Sequence, residues 1–191
     1  KLDEDDEAAA RAIIGELSDT PTVISVGVQY DSSTVSAYNE IALSEYLVAI
    51  ANQSYQQAGV DIVFEIVHMR QYQPYISNST LADTLYDISC GSTSCNPLAS
   101  TNQNVESWRN QVKADLIVQI VRYATSNNEG TLCGVGWIPQ QSSHFLSYLK
   151  SLTFSVTALE SRSGFACPSI AAAHEMGHNF GLGHDRETSP D

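Results

Sequence analysis

Positive charge is scarce in this chain. Its 191 residues carry 9 Lys and Arg against 22 Asp and Glu, a formal net charge of −13. Such a surface repels phosphate backbones and anionic bilayers, which argues against nucleic acid or a membrane surface as partner. Long apolar runs are missing too: no stretch of about 18 residues is apolar enough to span a bilayer. The opening Lys1-Leu2-Asp3-Glu4-Asp5-Asp6-Glu7 has neither an initiator Met nor an apolar signal core, so it reads as a processed or trimmed end. The acidic run Asp3 to Glu7 reads as a solvated tail, with a pro-segment remnant as the alternative, and residues 1–19 as a tail or loosely held helix. Methionine occurs only as Met69 and Met176, and cysteine only as Cys90, Cys95, Cys133 and Cys167. Four cysteines allow three pairings. The C-x4-C spacing of Cys90 and Cys95 in Gly/Ser/Thr-rich sequence suits a small-loop disulfide, which leaves Cys133 with Cys167. Four reduced thiols would instead indicate a cytosolic protein. A zinc site of all four needs two close pairs, and Cys133 and Cys167 are far apart.

What remains is an ordinary globular composition, 42% hydrophobic, long enough for one domain with a sizeable core. Thr22 to Tyr30 is β-branched and reads as a strand. Ser36 is a candidate cap for a helix whose apolar residues run from Ile41 to Tyr55 and which Gly59 stops. Val60 to His68 reads as a second strand with Ile62, Phe64 and Ile66 on one face. Helices are expected near Leu81 to Ile88 and over Val105 to Lys113. Leu116 to Val121 is a near-continuous apolar run, the signature of a buried central strand. Thr131 to Ile138 and Leu152 to Leu159 read as further strands, and Pro168 to Phe180 as a last helix ended by Gly181. Alternating strands and helices predict an α/β fold with a mixed sheet. There is no internal repeat and no sign of a second domain.

The chemistry lies in His174-Glu175-Met176-Gly177-His178-Asn179-Phe180-Gly181-Leu182-Gly183-His184-Asp185, an H-E-x-x-H-x-x-G-x-x-H-D pattern far more restrictive than H-E-x-x-H alone. His174 and His178 are one helical turn apart on one face and can reach a single zinc at roughly 2.0–2.1 Å. A third ligand two turns along a straight helix would lie too far away. Gly181 can take a positive φ, turn the chain and bring His184 back to the metal. Three protein ligands leave a fourth position for water, as in a catalytic rather than a structural zinc site. Glu175 sits beside the first ligand, placed to take a proton from that water and pass it to a leaving amine. Asp185 is expected to accept hydrogen bonds that fix the turn. His68, on a strand, reads as a core or edge residue, and His144 as an exposed loop residue that could touch substrate.

These residues resemble the metzincin zinc metalloproteases, and Asp185 after the third His is similar to the reprolysin (adamalysin) branch with its bacterial reprolysin-like and peptidyl-Asp metalloendopeptidase relatives. Ile50 to Val60 resembles that family's second-element signature, and Lys113 to Val118 its central strand. The resemblance implies a zincin-like catalytic domain over 1–191: a twisted, mostly parallel sheet with an antiparallel edge strand, flanking helices and an active-site helix. It makes Gly134, Val135, Gly136 and Trp137 the edge of the substrate cleft, pairing with extended substrate through backbone hydrogen bonds. It supports a Cys133–Cys167 bridge from cleft edge to active-site helix. It implies one catalytic zinc, protein or peptide substrates, a monomer, and a secreted or periplasmic location. The chain departs from the family in two ways. No methionine follows His184, so the Met-turn and the subdomain walling the S1′ pocket are expected beyond Asp191; and no cysteine precedes Cys90, so a cysteine-switch propeptide is not in this chain. No residue pattern assigns calcium.

Two other readings compete: a non-catalytic or truncated metzincin-like module that binds zinc or protein, and a structural domain whose zinc staples a loop. Intact Glu175 favours the enzyme and the missing Met-turn favours the module, while an open fourth position argues against the staple. The acidic surface sits poorly with strong attraction for acidic peptides. Asn52-Gln53-Ser54 and Asn78-Ser79-Thr80 are glycosylation sequons; Asn52 falls on the expected helix, so Asn78 is the better acceptor.

Overall fold

A computed structural model describes residues 20–74, 80–92, 101–127, 130–139, 149–161 and 164–184. The elements run β1 (Thr22–Tyr30), α1 (Ser32–Ala37), α2 (Glu40–Gln57), β2 (Ile62–Gln71), α3 (Leu81–Cys90), α4 (Gln103–Val112), β3 (Leu116–Asn127), β4 (Gly130–Leu132), β5 (Gly134–Gly136), a 3-10 turn (Leu149–Leu152), β6 (Phe154–Ser161) and α5 (Ala171–Asn179). The expected Asp3–Leu17 helix, Asn78, Cys95, His144 and Asp185 lie outside the described residues.

The sheet has strand order β2-β1-β3-β6-β5, with β4 folded back on the end of β3. The ladders β1–β2, β1–β3 and β3–β6 are parallel, and β5 pairs antiparallel with β6. The sheet is thus mostly parallel with an antiparallel edge. The apolar run of β3 holds the centre: Leu116, Ile117, Val118, Ile120 and Val121 are all buried. Side chains alternate across it to feed two cores. Leu116, Val118 and Ile120 join Val26, Val28 and Phe64 under Leu47, Ala51 and Tyr55 of α2 and Ala172, Ala173 and Met176 of α5. Ile117, Val121, Phe154, Val156 and Ala158 pack on the other side against Leu85 and Ile88 of α3 and Val105 and Trp108 of α4.

Local chemistry sets several boundaries differently from the sequence reading. Ser36 lies inside α1, not before α2. Asp31 opens that short helix, its carboxylate accepting from the Thr34 amide at 2.8 Å, and Asn39 caps α2 by accepting from the Ala42 amide at 3.0 Å. The expected strand Thr131 to Ile138 is two strands. Residues of β4 pair with β3, whereas β5 pairs with β6, so the chain changes partners at Cys133. α5 starts at Ala171 because Pro168 to Ile170 form a preceding turn, closed by the Ala171 amide on the Pro168 carbonyl at 2.9 Å. His68 is exposed on the edge strand β2, its ring 6.0 Å from that of Trp108. The Asn52 amide is committed to the fold, donating to the Phe64 carbonyl at 3.0 Å and accepting from the Phe64 amide at 2.7 Å, which ties α2 to β2.

Candidate active site

Three alanines, the strongest helix formers, open α5 and let it lie close on the sheet. At its far end the Asn179 amide donates to the carbonyls of Trp137, Leu152 and Phe154 at 3.0–3.1 Å. This clamps the helix to β6 and to the end of β5. At the near end a disulfide joins Cys133 to Cys167 across 34 residues, with an S–S distance of 2.08 Å. The helix bearing the His motif is therefore fastened to the sheet edge at both ends.

The C-terminus of α5 turns at Gly181, whose φ is +83°. The Gly181 amide donates to His178 O at 2.8 Å and the Leu182 amide to Gly177 O at 3.2 Å, a pair of bonds that closes a Schellman turn. The reversal carries His184 back to the helix. The Nε2 atoms of His174 and His184 are 3.2 Å apart, and one ligand atom from each of His174, His178 and His184 lies within 4.8 Å of the others. Two tetrahedral ligands at ~2.0–2.1 Å from zinc would stand about 3.3 Å apart, so the donor set fits that ion. The tautomer of His178 suits the role as well. Its Nδ1 donates to Leu182 O at 2.6 Å, which leaves Nε2 with a free lone pair. Partial desolvation of the otherwise exposed His174 ring, with His178 and His184 alongside, lowers its pKa and favours the neutral ring that a metal needs.

Glu175 is buried beneath β5, and burial pushes its carboxyl up to about 8. Its Oε2 is 4.0 Å from His178 Nε2. An open groove of about 480 Å³ runs between β5 and α5, lined by Gly134, Val135, Gly136, His174, Glu175, His178 and His184. Trp137 turns away from it. Its indole donates to Ser89 Oγ at 3.2 Å and packs edge-on against Tyr86 of α3. Sequence reasoning missed Asn179. It lies inside the motif, but its partners are set by tertiary register and leave no local signal.

Residues 20–191 match the metallo-peptidase family M12B, reprolysin-like, and the chain belongs to that family. It is 23% identical over 189 residues to a peptidyl-Asp metalloendopeptidase of Pseudomonas aeruginosa, a match covering 93% of this chain but 28% of the relative. The chain thus spans under a third of that relative's length. One chain of a solved chaperone–substrate complex shares the fold, with a TM-score of 0.61 and 17% identity over 86% of this chain and 24% of that one. Metalloproteinase-II from Bacteroides fragilis aligns over 89% of this chain and 46% of its own, at 14% identity and a TM-score of 0.44.

Proposed function

We propose that residues 1–191 form one catalytic domain of a secreted zinc endopeptidase that hydrolyses peptide bonds in proteins. The convergence of His174, His178 and His184 beside the buried Glu175 carries this reading. A zinc ion held there would supply Lewis-acid chemistry, polarising the scissile carbonyl and acidifying water. Every other part belongs to the chain. Glu175 holds the proton that the attacking water gives up and delivers it to the leaving amine nitrogen. Its position under β5, largely shielded from bulk water, keeps that proton from being lost to solvent. The outer edge of β5 lines the groove while its inner edge pairs with β6, so its free backbone groups can pair with an extended substrate. Gly181 supplies the turn that returns His184 to the helix. The Cys133–Cys167 bond suits an oxidising compartment, which supports secretion.

The test is metal dependence. The protein is stripped with a chelator and assayed for new amino termini on an unfolded protein substrate, then reassayed with stoichiometric zinc. Activity lost on chelation and regained with zinc supports the assignment; cleavage indifferent to metal contradicts it.

A further inference from the structure

Glu175 fits into a gap in β5. A Cβ at Gly134 would stand 2.5 Å from both Cγ and Oε1 of Glu175 and 2.7 Å from its Cδ, well inside van der Waals contact. In the β5–β6 ladder Gly134 is opposite Thr157, and Gly136 is opposite Ser155. Directly opposed residues carry their side chains on one face. Alternation along β6 agrees: Phe154, Val156 and Ala158 enter the core beneath α3 and α4, so Ser155 and Thr157 face α5.

Both hydroxyls on that face are sealed in. Thr157 is 1% and Ser155 0% exposed, and neither Oγ atom has a protein hydrogen-bond partner. Burying a hydroxyl unpaired is costly, so such a group invites a role. The Asn179 amide on Phe154 O fixes how α5 lies along β6. Glu175 is one turn back along the helix, a rise of about 6 Å. Thr157 is two residues beyond Ser155, about 6.6 Å along the strand. The two steps match, and they bring Glu175 over the Gly134–Thr157 pair while Ser155 stays level with Asn179.

We infer that Gly134 and Thr157 are positioning residues for Glu175: Gly134 leaves the room its carboxylate occupies, and the Thr157 hydroxyl donates to that carboxylate through one water. The inference rests on the reading of Glu175 as the proton carrier. In the ionised form that takes the proton, the carboxylate only accepts hydrogen bonds, and a hydroxyl is the donor that face of the sheet offers it. Held from below by Thr157, the carboxylate presents its other oxygen to the groove.

The zinc-loaded protein at its full natural length is compared as wild type, Thr157→Val, Thr157→Ser, Ser155→Ala and Glu175→Gln, for kcat, KM, thermal midpoint and zinc content. Thr157→Val keeps the side chain's shape and removes the donor. It should lower kcat about tenfold to a hundredfold with KM within about twofold, the scale of a lost hydrogen bond to a charge. Its zinc content should be unchanged, and it should remain fully folded at the assay temperature, which separates a lost donor from a lost metal or a lost fold. Thr157→Ser should restore most of kcat, and Ser155→Ala should leave it unchanged. Wild-type kcat in Thr157→Val beside a crippled Glu175→Gln overturns the positioning role alone. So does a Thr157→Ser variant as slow as Thr157→Val, which would show that packing rather than the hydroxyl matters. Undiminished turnover in Glu175→Gln overturns the reading of Glu175, and this inference with it.

Discussion

Gly181 offers a clean way to separate conformation from ligation. A Cβ added there would meet only the Pro139 carbonyl oxygen, at 3.6 Å, an ordinary contact. Space therefore does not require glycine; the backbone does, because φ is +83°. Forcing a residue with a Cβ into the left-handed region costs about 1–3 kcal/mol, with β-branched residues at the upper end. If the free chain relaxes that strain by letting His184 swing away, the whole cost falls on metal binding. A penalty of about 1–3 kcal/mol then becomes a loss in zinc affinity of about 5-fold to 150-fold. Gly181→Val should reach the upper part of that range, and Gly181→Asn, which tolerates positive φ, should lose much less. Competition with a chromophoric chelator reads the affinities directly. Equal affinity for Val, Asn and wild type would show that the turn does not govern how His184 reaches the metal.

Two further outcomes follow from the fastenings of α5. Replacing Cys133 and Cys167 by alanine opens a loop of 34 residues and should cost about 4 kcal/mol by loop entropy, read as a shift in denaturant midpoint; no shift would contradict it. Asn179→Ala strips a donor from three carbonyls at once and should cost at least about 1–3 kcal/mol, again by denaturant; a loss under about 0.5 kcal/mol would show that these bonds are idle.

The parts of the fold legible in the sequence were those written in local chemistry. The β-branched run of β1 and the apolar run of β3 announce strands, and Gly181 announces a turn, since each acts within a few residues. The end of β3, from Thr125 to Asn127, was not legible, because past its pairing with β6 it is a strand only through its hairpin with β4. The break at Cys133 was hidden for a similar reason: its neighbours on either side pair with different strands. The same holds around the site. Spacing alone groups His174, His178 and His184, but the Gly134–Thr157 niche and the Asn179 clamp depend on how β5, β6 and α5 are aligned. No local pattern encodes that register.

Glu175→Gln tests the central claim most directly. The amide keeps the shape of the side chain and cannot carry the proton, and Glu175 is not a ligand, so zinc should remain bound at wild-type stoichiometry. With zinc content measured on the same sample, the account predicts a fall in kcat for peptide hydrolysis of about 100-fold or more. A fully zinc-loaded Glu175→Gln protein that cleaves peptide at the wild-type rate would contradict it.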